Sequence, residues 1–313
     1  MVRFAKEEDL TFLKQAWKIC FDDPEAFIDW NFSHNYDSKD TLIAETDDRP
    51  ASNLQLMPHR ISLRGEEYAV NYVSGVATLP EFRHRGLVRE LFEFAFVQMK
   101  RRGEPISLLV PFNYEFYEKF GYKQCYTKVF RYADMLPESE YITHLSSNLI
   151  ANLDSIYRRE MANHTGYALR TPKDWEKILE DLLYLSKGRV FLSQNGYAVI
   201  APRTEGGFEA HEVLGSLPFV FEEVEKPFAM ARIVDVMSLL TSMAPKFNQA
   251  VRLKILDTQI PENNVTVAIQ NGTVAPCEEF DRELDIKELT TELFGFGNCL
   301  YLPQQNPYLN MIF

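Results

Sequence analysis

Arg83, His84 and Arg85 stand directly before Gly86, and Gly86 stands directly before apolar positions at Leu87, Leu91, Ala95 and Met99. That spacing predicts a long helix whose first-turn N–H groups have no intrahelical acceptor. Cations and free N–H groups then meet at the positive end of a helix dipole, an arrangement that binds anions and would suit a pyrophosphate. Gly86 also suits the backbone angles of a solvated basic turn, so on the loop alone both readings stand.

The flanking residues must position this loop. Residues 72–78 read as a strand halted by Pro80, and the helix from Leu87 ends near Lys100, Arg101 and Arg102, with Gly103 as its stop. Residues 106–110 read as the next strand, so strand, basic loop, helix and strand suggest a crossover between neighbouring strands. If that pair splays apart beyond the loop, backbone groups are exposed in the gap, and an extended pantetheine arm could pair there as an added strand. Val76 and Thr78 lead into the loop, and Asn113 lies just past the partner strand, where it can cap a short helix running to Phe120 and stopped by Gly121.

Upstream, helices are expected at 7–20 and 24–32, then strands at 41–45, 53–57, 60–63 and 67–70, the last two joined across Arg64-Gly65-Glu66. A strand at 123–132 is expected to close the first domain, with 135–139 as exit linker. Further on, helices are expected at 148–161 and at 172–187, the second with Thr171 as cap and Pro172 at its first position. Strands follow at 189–193, 196–201, 208–214, 229–234, 251–256 and 264–269, with a turn at Asn271-Gly272. A last helix is expected at 284–294, started by Asp285 and Glu288 and ended by Gly295.

The stretch Val76-Ala77-Thr78-Leu79-Pro80-Glu81-Phe82-Arg83-His84-Arg85-Gly86-Leu87-Val88 resembles the coenzyme A motif of GNAT acetyltransferases, R/Q-x-x-G-x-G/A. Phe116-Tyr117-Glu118-Lys119-Phe120-Gly121-Tyr122 resembles their F-Y-x-x-x-G-Y/F element. Val88 stands where the common motif has its second glycine. That departure resembles the Eis-like branch, named for enhanced intracellular survival proteins, whose loop reads R-x-R-G followed by aliphatic residues.

The resemblance implies an α/β (α+β) fold: a GNAT domain with a mixed, V-splayed central sheet over 1–137, a truncated second GNAT-like domain over 138–227, and an SCP2-like (sterol carrier protein 2-like) α/β domain over 228–313. The middle domain is shortened because no basic-glycine loop and long helix follow Leu214. The implied activity is an acetyl-CoA-dependent N-acetyltransferase, moving acetyl by direct attack in a ternary complex to a primary amine on a small polyamine, an aminoglycoside-like compound or a lysine. Implied cofactor contacts are Val76, Ala77, Thr78, Arg83, His84, Arg85, Gly86, Leu87, Val88, Arg89, Phe112 and Asn113.

Tyr117 is the implied general acid, since a phenol near pKa ~10 can protonate a leaving thiolate yet stay protonated at neutral pH; by residue type alone it equally suits an aromatic core. The α-carboxylate of Phe313, on the apolar tail Leu309-Asn310-Met311-Ile312-Phe313, is the implied base, with a frayed terminus as the plain alternative. Asp22, Asp23, Phe27, Asp29 and Trp30 fall in the segment that lines the family's acceptor pocket, where a cationic amine fits between carboxylates and aromatic faces; solvated helix charges are the alternative. A protein that binds coenzyme A or an apolar ligand without turnover is the second functional reading.

Composition narrows the partners. The 313 residues carry a formal charge of -12, the opposite of the basic stripe that a nucleic-acid backbone requires. No apolar run reaches membrane-spanning length and the opening residues lack a signal-peptide core, so a cytoplasmic protein is expected. Cys20, Cys125, Cys277 and Cys299 lie far apart with no C-x-x-C pair, which points to reduced thiols and to no metal site. The expected partners are the amine substrate and, compatibly, further copies of the chain.

Overall fold

The computed structural model describes residues 1–297, 300 and 302–310. Strand β1 (Val2–Phe4) precedes helices α1 (Leu10–Cys20) and α2 (Glu25–His34), followed by strands β2 (Thr41–Thr46), β3 (Arg49–Leu63) and β4 (Glu66–Thr78). The short pieces expected at 53–57 and 60–63, and at 67–70 and 72–78, are two continuous strands, with Pro58 and Asn71 paired in register. Local propensity reads both residues as breaks, whereas pairing along a long hairpin carries them. Arg64 (φ 53) and Gly65 (φ 79) make its turn, left-handed at both positions, the form whose twist matches the strands.

Helix α3 (Leu87–Arg101) crosses to strand β5 (Ile106–Leu109), and helix α4 (Tyr114–Glu118) and strand β6 (Lys123–Gln124) follow. The apolar stripe of α3, from Leu87 through Phe92 to Met99, packs on Leu42, Leu54, Leu56 and Val73 from one face of the sheet. On the other face Leu13, Trp17, Ile28 and Phe32 of the first two helices cover Ile43. Alternation along each strand thus feeds two separate cores, one per face.

The strand expected at 123–132 divides at Cys125 and Tyr126 between two sheets. Strand β7 (Thr127–Ala133) begins a second body with α5 (Ser147–Met161), β8 (Tyr167–Ala168), α6 (Pro172–Glu180), β9 (Arg189–Leu192), β10 (Gly196–Pro202), β11 (Phe208–Gly215) and β12 (Glu222–Pro227). Its antiparallel sheet runs β12-β7-β11-β10-β9. Leu153, Tyr157, Trp175 and Ile178 of the two helices pack on Tyr197 and Val199. Thr171 and Asp174 form the capping box that opens α6.

The chain then returns. Strand β13 (Met230–Ile233) lies antiparallel between β5 and β6, so the first sheet runs β1-β2-β3-β4-β5-β13-β6. Helix α7 (Val236–Met243), strands β14 (Val251–Leu256), β15 (Val265–Gln270), β16 (Thr273–Pro276) and β17 (Arg282–Asp285), and helix α8 (Ile286–Phe294) complete it. The four strands form a sheet in the order β16-β15-β14-β17.

By contacts the chain divides into two compact units: Met1–Cys125 with Phe228–Gln305, and Tyr126–Pro227 with Asn306–Phe313. This differs from a division at 137 and 227, which assigns 228–313 to a body of its own. The reason lies in β5, whose buried apolar strand needs a partner on both edges, and the apolar run around Met230 supplies the missing one. A fragment ending at Cys125 therefore leaves β5 with an open edge. We expect it to aggregate or to lack a cooperative transition in size-exclusion chromatography and thermal unfolding; a monomer that unfolds cooperatively would show that β13 is dispensable.

Candidate functional site

Strands β4 and β5 run parallel and are paired at Val70 with Ile106, Asn71 with Ser107 and Tyr72 with Leu108. Pairing stops there, yet β4 continues to Thr78. The Tyr72 hydroxyl accepts the Val110 N–H at the point where the strands part. Beyond it, Leu79 N–H donates to Ala51 of β3 at 3.0 Å, and alternation along the strand turns the N–H groups of Val76 and Thr78 to the opposite, open edge. The Thr78 carbonyl faces the same way and accepts from Arg83 Nε at 3.2 Å and Cys20 Sγ at 3.5 Å.

A β-bulge accompanies the opening. Asn53 pairs with Ala77 and Gln55 with Ser74, so β4 holds one extra residue at Gly75-Val76. Gly75 has φ +57, and a Cβ there would lie 2.8 Å from the Trp17 ring, so the position requires glycine on both counts. Asn53 Nδ2 donates to the Gly75 carbonyl at 2.7 Å, while Asn53 Oδ1 and Gln55 Nε2 are buried without partners among the described residues. Trp17 Nε1 donates to Asp23 at 2.8 Å, which ties the start of the α1–α2 connection to the bulge.

At the end of β4 the turn Pro80–Phe82 leads to Arg83, His84 (φ 63), Arg85 and Gly86 (φ 82). Arg83, His84, Arg85, Gly86 and Arg89 are exposed, Val88 is half-buried and Leu87 is buried. Arg89 and Glu90 donate their N–H groups to the Gly86 carbonyl, so those of Leu87 and Val88 precede the first intrahelical bonds and point out of the helix end. Arg85 lies 5.2 Å from the Phe82 ring, which limits its swing, and pairs with Asp47 at 3.6 Å on the surface. The loop thus holds two left-handed residues, where sequence reasoning placed only the glycine.

Helix α4 stands beside the other arm of the gap. Asn113 caps it by accepting the Phe116 N–H at 2.9 Å, and exposed Phe112 lies 5.6 Å from the Tyr117 ring. Tyr117 is 4% exposed and packs edge-on against Phe92, Phe116 and Tyr122. Burial, then the neighbouring Tyr122 and Tyr72 hydroxyls, hold its hydroxyl well above the ordinary phenol range. Burial likewise raises Tyr122, although Ser107 bonds its hydroxyl, and pushes Tyr72 up to about 12.

Of the predicted acceptor residues, Asp23 and Asp29 each bond a residue of α1. Asp22 is exposed, Asp29 pairs with Lys14 at 2.6 Å, and the Trp30 ring stacks on His34 with Phe27 6.0 Å away. Asp23 alone of these is fastened to a residue that touches β4, through Trp17. The Trp30 indole N–H is buried without a partner among the described residues. Phe313 lies outside the described residues, as does Cys299; Cys20, Cys125 and Cys277 are free thiols. Among the described residues no His, Cys, Asp or Glu group is arranged to hold a metal, and no helix is long and apolar enough to cross a membrane.

Sequence reasoning missed Arg232, which lies under the C-terminal end of α4. A lone cation inside the apolar run Ala229 to Val234 was the available signal, because such a residue in a buried strand must find a partner.

Residues 1–125 match the family model described as an acetyltransferase (GNAT) domain. No curated protein matches the chain. Among solved structures the chain is similar to a conserved protein of unknown function from Enterococcus faecalis V583, with 16% identity, TM-score 0.80 and coverage of 100% of this chain and 99% of that one. It is similar to a GCN5-related N-acetyltransferase from Anabaena variabilis ATCC 29413, with 16% identity, TM-score 0.78 and 100% of both chains covered. Eis1 from Mycobacterium abscessus aligns with 15% identity and TM-score 0.78, again over 100% of both chains. At these identities the likeness is one of fold; the GNAT acetyltransferase domain match is that of residues 1–125, which contribute to a mixed sheet.

The buried phenols give a pH signature. Their folded pKa values lie above the unfolded value near ~10, so the stability they contribute is complete below about pH 10 and is lost as pH rises through the folded values. Ultraviolet titration should show a tyrosinate step that coincides with loss of circular dichroism. Complete ionisation near pH ~10 in a chain that stays folded would show that these hydroxyls are solvated.

Proposed function

We propose that the chain is an acetyl-CoA-dependent N-acetyltransferase acting on a primary amine, and the observation that carries this is the parted β4–β5 pair ending at the α3 N-terminus. A basic helix start, a strand edge that has parted from its neighbour and a buried phenol follow one another along that gap. The fit to coenzyme A rests on Gly86, where a Cβ would meet nothing within 4 Å, so the space in front of the helix end is open. Acetyl-CoA supplies a pyrophosphate and an acyl thioester.

In this reading the Leu87 and Val88 N–H groups, with Arg83, His84, Arg85 and Arg89, hold the diphosphate. The open-edge N–H groups of Val76 and Thr78 pair with an amide-bearing arm and, nearer the bulge, stabilise negative charge on a carbonyl oxygen. Ala77, Phe112 and Asn113 line the two arms of the gap. Tyr117, kept protonated at neutral pH by its burial, donates its proton to the leaving sulfur.

The resemblance assigns the base to the Phe313 carboxylate. Asp23 and Asp29 are already bonded to Trp17 and Lys14, which supports looking beyond them. The acceptor is an amine on a small polyamine, an aminoglycoside-like compound or a lysine, entering on the α1–α2 side. The segment from α7 to α8 is the counterpart of the SCP2-like part in this reading, and 126–227 that of the second GNAT-like part.

Gly86→Asp sets a carboxylate in front of the helix end, so calorimetry should show coenzyme A affinity falling at least about tenfold, or about 1.4 kcal/mol. Wild-type affinity would displace the cofactor from this loop. Tyr117→Phe keeps the ring and removes the hydroxyl. Coenzyme A binding should persist while kcat falls by about 10²- to 10⁴-fold in a thioester-consumption assay with a panel of amines. Unchanged kcat, with chemistry rate-limiting, removes Tyr117 from the reaction; coenzyme A binding without turnover by the wild-type chain favours a binding protein.

A further inference from the structure

We propose that Arg232 is a positioning residue: its buried guanidinium pins the C-terminal end of α4 and thereby sets where the Tyr117 hydroxyl stands. The functional part of this rests on the acetyltransferase reading above; the mechanical part does not. Helix α4 spans five residues, too few to be stable by itself. Its N-terminal end is tied by the Asn113 cap and by the Tyr114 hydroxyl, which donates to the Phe228 carbonyl at 3.1 Å. Its C-terminal end is tied by Arg232 Nη1, which donates to the Phe120 carbonyl, a cation placed at the negative end of the helix.

The pin is rigid at its far end. Arg232 Nη2 donates to both Asp257 oxygens, at 3.0 and 2.8 Å, and both side chains are 0% exposed. Asp257 in turn accepts from Gln259 N–H, Ile260 N–H and Asn263 Nδ2, at 2.9, 3.2 and 2.9 Å. The guanidinium lies 4.4 Å from the Phe96 ring of α3. Space for it exists only because Gly121, at φ +81, has no Cβ; one there would collide with Nη1 and come within 3.2 Å of Ile286 on α8. The glycine of the F-Y-x-x-x-G-Y element therefore admits a cation from a strand far along the chain.

Stability alone does not account for the choice. A buried ion pair costs more to desolvate than apolar side chains of equal volume, and Arg232 Nε is buried with no hydrogen-bond partner among the described residues. What the pair provides and an apolar replacement cannot is directional placement of the Phe120 carbonyl, three residues from Tyr117.

The test uses the full chain with Arg232→Lys, which keeps a charge but not the planar fork, and with the double variant Arg232→Met, Asp257→Asn, which leaves no unpaired buried charge if the first fails to fold. Coenzyme A affinity, kcat and amide hydrogen exchange across residues 117–122 are measured together. Support is affinity within about twofold of wild type, exchange at 117–122 faster by about tenfold, and kcat lower by about 10²-fold, the cost of a catalytic group displaced by about 1 Å. Wild-type exchange and kcat overturn the proposal. A parallel fall in coenzyme A affinity also overturns it, since the pair would then hold the whole fold and not α4. If the wild-type chain turns over no amine, the catalytic reading fails by itself, and unchanged exchange at 117–122 still overturns the pin.

Discussion

Parallel pairing of β4 with β5 is the constraint on which the rest of the first unit depends. Two parallel neighbours cannot be joined by a tight turn, so the chain must cross one face, and α3 is that crossover. The crossover sets the α3 N-terminus and its basic loop past the carboxyl end of β4, beyond the point where pairing with β5 has ceased. One topological requirement thus brings together a helix end, whose dipole favours anions, and a strand edge that has parted from its neighbour. The bulge at Gly75 adds to the divergence, and it is tolerated because the Trp17 ring and the Asn53 side chain fill and bond the space it creates.

Two buried arginines then fasten helix ends in the same unit. Arg232 holds α4, and Arg64, in the β3–β4 turn, donates to the carbonyls of Leu293 at 2.7 Å, Pro303 at 2.7 Å and Glu292 at 3.0 Å around the end of α8. Both guanidiniums are pulled below their ordinary range by burial, so each carries a desolvation cost that its hydrogen bonds offset. The rationale is geometric: last-turn carbonyls inside a core have no water to accept from, and the five-donor fork of arginine can serve several at once. Through these contacts residues 228–305 become part of the unit that the matched segment 1–125 begins.

The second unit is organised around a charge as well. Arg170 makes a bidentate pair with Glu212 at 2.7 and 2.9 Å, and its guanidinium lies over the Tyr157 and Trp175 rings at 4.2 and 4.5 Å. Glu212 also accepts from Tyr197, Tyr308 and Asn310, so its remaining lone pairs are filled, and Arg170 holds its carboxyl below the usual carboxylate range. Asn310 is anchored further by Lys128 at 3.1 Å and by the His211 carbonyl at 3.0 Å. A network this fully satisfied is a strong local constraint, and removal of either charge would leave the other buried and unpaired, at about 3–5 kcal/mol.

The amino-acid sequence alone determined the local features. The apolar stripe and Gly86 defined α3, Asn113 and Thr171 marked their helix starts, and Asp285 with Glu288 opened α8. Each rests on neighbours within a few residues, where periodicity and capping act. Only the tertiary structure decided that residues 123–132 divide between two sheets, that β13 completes the first sheet, and that Arg232 lies beneath Gly121. Those outcomes depend on pairings between segments a hundred or so residues apart, such as Arg232 with Phe120 at a separation of 112. Sequence spacing carries no distance information at that range, because strand pairing is chosen by which buried edge lacks a partner and not by the residues adjacent in the chain.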